Sequence, residues 1–138
     1  MKQLDDITSA IIDCSLQIHR DFGPGLLESL YEELLVHLLQ KRGFRVERGR
    51  TISFEYEGRI FRSRLKADLA VEDQVIVELK SVEKMALVHK KQLLTYLRIT
   101  RKRVGLLINF GMATLKEGLV RVVNRLPPSA SPRLRVNQ

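Results

Sequence analysis

Asp68, Glu78 and Lys80 are the residues of this 138-residue chain whose types and spacing best suit chemistry. Glu78 and Lys80 stand two apart in VIVELK. A strand sends such residues to one face while Val77 and Leu79 pack behind. Asp68 lies ten residues before Glu78, in KADLAV, with Glu72-Asp73 between them as a tight turn. A hairpin of that length can bring Asp68 beside Glu78. Two carboxylates converging with a lysine make a hard-cation site of the kind Mg²⁺ uses. The lysine can orient or activate a water, or offset developing charge on a phosphate. The same three residues on a solvated strand would make only an ion pair. Against that stands Val75-Ile76-Val77, an apolar run that reads as a central strand, where a charged face needs a reason.

A second group follows at helical spacing. His89, Gln92 and Tyr96 stand at i, i+3 and i+7, one polar stripe beside a leucine face. The stripe is placed to border the acidic site and to touch a phosphate or a base, although Gln and Tyr also commonly edge a helix with their tips in water. Upstream, Glu28 and Tyr31 are i, i+3 neighbours, so the phenol is expected to steer the carboxylate; an acid in a first helical turn is also explained by the helix dipole alone. His19 and His37 have no partner at metal-ligand spacing, and Cys14 reads as a core filler. There is no glycine-rich phosphate loop and no nucleophile elbow.

The elements that must position these groups follow from periodicity. Ile7, Ile11, Leu16 and Ile18, with Ala10 and Cys14 between, predict a helix over about residues 4–21, stopped by Gly23-Pro24-Gly25. A second helix is expected over about 26–41, on the stripe Leu27, Leu30, Leu34, Leu35, Leu38 and Leu39. Strands are expected at 46–56, at 59–66 continuing extended to 71, and at 74–80. A helix follows over 84–100, and then 104–109, apolar almost throughout, reads as a strand covered on both faces. The crossover from strand to helix to strand should be right-handed. A weaker strand is expected near 118–123. The prediction is one α/β domain over residues 1–125, a mixed central sheet of about four strands flanked by helices, with a frayed tail over 126–138.

Composition narrows the partners. Hydrophobic residues are 44% and charged residues 29%, which excludes wholesale disorder. No apolar run approaches the ~18 residues of a membrane span, so no membrane role is expected. MKQLDDITSA lacks an apolar core, so no secretory signal is expected. The single Cys14 excludes an internal disulfide framework, and a reducing cytoplasm is the simplest home. The net charge of +8 is unevenly spread: −5 over residues 1–40, +6 over 41–66, −4 over 67–83, and +7 without any acid over 84–103. Basic surface around a small acidic centre suits a polyanion held against a metal site. Arg59, Arg62 and Arg64, with His89, Lys90 and Lys91, are the expected nucleic-acid contacts.

Gly25-Leu-Leu-Glu28-Ser-Leu-Tyr31 resembles the signature of the GxxExxY protein family, a branch of the PD-(D/E)xK nuclease superfamily. The resemblance runs over about Ile7 to Val123 and takes in ADLAVEDQVIVELKSV, HKKQLLTYL and VGLLINFG. It implies a restriction-endonuclease-like fold in which Asp68, Glu78 and the backbone carbonyl of Leu79 hold Mg²⁺, with Mn²⁺ able to substitute. Glu28 corresponds to an upstream helical acid that joins the metal set, and Lys80 serves the attacking water. Gln92 and Tyr96 are similar to the QxxxY element of RecB-like and lambda-exonuclease-like nucleases. Ala67 stands where the family name carries proline. The implied catalytic group is therefore Glu28, Asp68, Glu78, Lys80, Gln92 and Tyr96, acting on DNA in preference to RNA. Beside a DNA nuclease stand a junction-resolvase-like enzyme, which a homodimer with paired sites would favour, and a non-catalytic nucleic-acid-binding module. A third class is an interaction protein docking a basic partner on its acidic first helix.

Overall fold

The computed structural model describes residues 2–125 and the strand at 134–137. Helix α1 (Leu4–Phe22) and helix α2 (Glu28–Lys41) come first, then strands β1 (Val46–Tyr56), β2 (Arg59–Val71) and β3 (Val75–Lys80). Helix α3 (Leu87–Thr100) leads to β4 (Val104–Asn109), the single turn α4 (Leu115–Gly118), β5 (Leu119–Val123) and β6 (Leu134–Asn137). The sheet order is β5-β4-β3-β2-β1-β6, with β3 and β4 parallel and every other pair antiparallel. The six strands exceed the expected four: the weaker strand expected near 118–123 pairs over its whole length with β4, and 134–137 adds to β1 at Ser53–Tyr56. Of the tail expected to fray, residues 126–133 lie outside the described residues, whereas 134–137 form a strand. α2 starts at Glu28 and α3 at Leu87, later than their apolar periodicity implies, because Leu27 and Ala86 are extended at the caps.

Two cores lie on opposite faces of the sheet. On one face α1 and α2 bury Ile7, Ile11, Ile18, Tyr31, Leu35 and Leu39 against Leu69, Val77, Leu79 and Ile108. On the other, Leu93, Tyr96 and Leu97 of α3 pack on Ile52, Ala67, Ala70, Ile76 and Leu107. β4 is buried at every position, as its unbroken apolar run requires when helices cover both faces. Val75, Ile76 and Val77 are likewise fully buried, so the strand carrying Glu78 and Lys80 is central.

Candidate active site

The site is built where the β2–β3 ladder comes apart. The two strands pair from Val71↔Val75 to Leu69↔Val77. One step further, carboxylates replace the backbone acceptors. The Asp68 N–H donates to Glu78 Oε1 at 3.1 Å, and the Leu79 N–H donates to Asp68 Oδ2 at 2.7 Å. Each acid thus takes an amide of the opposite strand that ladder geometry would have given to a carbonyl, and the strands diverge. β3 stays fixed from its other side, because its pairing with β4 runs on to Lys80↔Asn109. In β2 the register shifts opposite Thr51–Ser53, with Lys66 paired to Thr51 and Arg62 to Ser53. Such a bulge bends a strand and commonly borders a functional site.

The electrostatics of the pair follow from this placement. Burial pushes the Glu78 carboxyl up to about 8, and the neighbouring Asp68 adds to the rise. Asp68 is also raised, first by burial and then by Glu28 and Glu32, against the Leu79 N–H and Lys80, which lower it. Both acids are raised first by burial, so holding the two ionised together needs a compensating cation. Among the described residues no three His, Cys, Asp or Glu side chains already converge as a metal cage. The two carboxylates meet at the split but open to different spaces, Asp68 to a groove beside α2 and Glu78 to a small cavity beside α3. The donor set fits Mg²⁺, an ion that keeps several waters and uses one or two carboxylates. The groove, about 280 Å³, is lined by Asp68, Leu79, Glu28, Ser29 and Glu32.

The remaining expected residues fall around this pair. Lys80 shares a small cavity with Glu78, His89, Gln92 and Tyr96, about 20 Å³ in volume and large enough for one water. Lys80 makes no ion pair within 4 Å among the described residues, so the simple pair with Glu78 is not formed. His89 Nδ1 is buried and has no hydrogen-bond partner among the described residues, while Gln92 is exposed. Tyr96 departs from the expected polar stripe. It is 2% exposed in the α3 core, its hydroxyl donates to the Arg50 carbonyl at 3.4 Å, and burial pushes its phenol up to about 12. Arg59 and Arg62 are exposed at the outer end of the β1–β2 hairpin, Arg59 with its guanidinium 5.2 Å from the Phe61 ring centre. Lys90 and Lys91 are exposed on α3; the Arg64 side chain lies outside the described residues.

Tyr31 corrects an expectation. Its hydroxyl donates to the Gly23 carbonyl and accepts the Leu26 N–H at 3.1 Å, and its ring stacks on Phe110 with centroids 4.3 Å apart. Being fully buried, the phenol ties down the turn before α2 and does not steer the exposed Glu28. Two residues were not singled out from the sequence. Glu32, one turn after Glu28, lines the Asp68 groove and pairs with Arg48 at 3.1 Å; the i, i+4 spacing was its signal. Asn109, fully buried, accepts the N–H groups of Val82 and Gly111 and donates to the Val82 carbonyl at 2.9 Å. It fixes the chain just after Lys80, and a Cβ at Gly111 would come within 2.4 Å of the Val82 carbonyl oxygen. Nothing in the local sequence marks it.

A family model described as the PD-(D/E)XK nuclease superfamily matches residues 5–122. The chain belongs to that superfamily. Its members are typically nucleases that use divalent metals, and the six-strand mixed sheet flanked by helices agrees with their fold. Among solved structures, the crystal structure of SSO0001 is similar at 18% identity and a TM-score of 0.51, with 89% of this chain and 63% of that one covered. That likeness concerns the fold, and the chain spans under two thirds of the SSO0001 length. No curated protein matches the chain. Among the described residues no helix is long and apolar enough to cross a membrane.

Proposed function

We propose that this PD-(D/E)XK protein is a Mg²⁺-dependent phosphodiesterase that hydrolyses DNA, with Mn²⁺ able to substitute. The observation that carries the reading is that Glu78 accepts the Asp68 N–H and Asp68 the Leu79 N–H where β2 and β3 part, beside a Lys80 that makes no ion pair among the described residues. Asp68, Glu78 and the Leu79 carbonyl would hold the cation, with Glu28 lining the groove on the Asp68 and Leu79 side. When bound, a divalent ion supplies Lewis-acid charge to the phosphate and to the attacking and leaving oxygens. Lys80 lines the cavity beside Glu78, where its ammonium would orient a water and offset charge on the phosphoryl oxygens. His89 and Gln92 edge that cavity and offer donors to a phosphate or a base. Tyr96 acts by holding α3 to β1 through the Arg50 carbonyl. Arg59, Arg62 and Arg64, with Lys90 and Lys91, serve as phosphate contacts, two of the arginines on the hairpin end that projects past the site.

The test is Mg²⁺- or Mn²⁺-dependent cleavage of a panel of single-stranded, duplex, branched and RNA substrates, run with wild type beside Lys80→Ala. Turnover should fall by at least ~100-fold in the variant, the scale for losing an electrostatic or acid–base contributor. Metal affinity should hold or rise, because a positive charge beside the cation is gone. Undiminished cleavage by Lys80→Ala would refute the mechanism, and a wild type inert on every substrate would refute the enzyme reading.

A further inference from the structure

The end of the sheet away from Asp68 and Glu78 carries a second charged feature. An open cleft of about 440 Å³ is lined by Lys2, Asp73, Gln74, Arg101, Lys102 and Arg103, together with Gln3 and Leu4. Gln74 immediately precedes β3, and Glu78 and Lys80 stand at the other end of that strand. At ~3.3 Å per residue the two features are separated by roughly 13–20 Å along β3, so this cleft is no extension of the acidic groove.

Its charges are not all spent. The one lining carboxylate, Asp73, is held by Arg50 at 2.7 Å and by Lys102 at 3.1 Å. Lys2 is turned to Glu72 and to the Gly43 carbonyl. Arg101 and Arg103 make no ion pair within 4 Å among the described residues. Two guanidinium groups, two residues apart at the mouth of one cleft, are therefore free to take a ligand. The backbone at Arg101 is that of a helix end, its N–H bonded to the Leu97 carbonyl. Arg101 caps α3 in the left-handed region (φ 58°, ψ 35°), a position that glycine or asparagine fills at no cost. Here the chain places an arginine in the strained position, at the edge of a cavity, and keeps basic residues after it.

We infer that this cleft is a binding site for phosphate groups, with Arg101 and Arg103 as the forks that grip them. A guanidinium presents paired N–H donors that match two oxygens of one phosphate, which a lysine cannot do. The ligand is a phosphate-bearing anion, supplied either by a nucleic-acid backbone or by a free polyphosphate. Only the charges and shape of this cleft enter, so phosphate binding here stands or falls separately from cleavage at Lys80.

The experiment follows backbone amide NMR signals of the full chain in 150 mM NaCl while sodium pyrophosphate, or in a separate arm a 12-nucleotide DNA, is titrated in. The comparison is with R101G/R103Q and with Lys80→Ala. Glycine relieves the left-handed position, and Arg103 is exposed, so the double variant should fold with an unchanged or higher Tm. Signals of residues 101–103 should shift in the wild type, and the double variant should bind at least tenfold more weakly. Lys80→Ala should keep the wild-type response at those signals. A response to pyrophosphate assigns a small polyphosphate ligand; a response to the oligonucleotide alone assigns nucleic-acid phosphates. No shift at 101–103 with either probe, or equal affinity in the folded double variant, overturns the inference.

Discussion

Glu78 gives the most demanding test of the acidic pair. Its carboxyl is raised from an ordinary 4.5 to about 8 by burial and by Asp68. In metal-free protein the folded state therefore holds a proton that the unfolded chain releases near 4.5. The stabilising contribution is complete below that value and is lost as pH rises through 8. A tenfold change in proton affinity corresponds to about 1.36 kcal/mol, so the wild type should lose roughly 3 kcal/mol of stability between about pH 5 and pH 8 from this group. Glu78→Gln keeps an oxygen to accept the Asp68 N–H but has no proton to lose, so its stability should vary far less over that range. It also lifts the like charge from Asp68, whose own raised carboxyl acts in the same direction. The assay is urea unfolding of both proteins across that pH range with a chelator present. Saturating Mg²⁺ should reverse the wild-type trend, because the cation binds the ionised pair and displaces its proton. Parallel pH slopes for the two proteins would refute the claim that Glu78 is a raised carboxyl.

Asp68→Asn should leave the fold intact through the bond to the Leu79 N–H and should lower Mn²⁺ affinity and abolish cleavage, since a hard cation needs the anionic oxygen; calorimetric titration with unchanged affinity would remove Asp68 from the site. DNA affinity should fall steeply with salt, and Arg62→Gln or Lys90→Gln should each lower the slope of log K against log salt by about 1; a flat dependence in filter binding would exclude a nucleic-acid substrate. Tyr31→Phe should cost about 1–3 kcal/mol, because the Gly23 carbonyl and the Leu26 N–H lose a buried partner. Chemical denaturation measures that loss, and Mn²⁺ affinity should not change; an affinity loss at full stability would mean that the phenol acts on Glu28 after all.

Sequence alone determined the elements whose cause is local. The apolar run 104–109 is a strand buried at every position, the Glu72-Asp73 pair turns β2 back as β3, and the 3.6-residue stripes become α1, α2 and α3. The pairing of Asp68 with Glu78 was legible for the same reason, since hairpin register is set by the turn and by alternation along the strand. Only the tertiary structure decided what depends on partners distant in the chain. Tyr31 and Tyr96 look equally polar as sequence, but Phe110 and the Gly23 turn capture one phenol, and the Arg50 carbonyl captures the other. Glu32 enters the groove because α2 lies along the β2–β3 split, and Asn109 matters because β4 ends where the chain leaves Lys80. The β6 partner of β1 lies near the far end of the chain, with no local pattern to announce it. Periodicity and turn chemistry report a residue's nearest neighbours along the backbone. Which buried donor meets which acceptor is settled only when the layers pack, because each unpaired polar group must find a partner in the space then left to it.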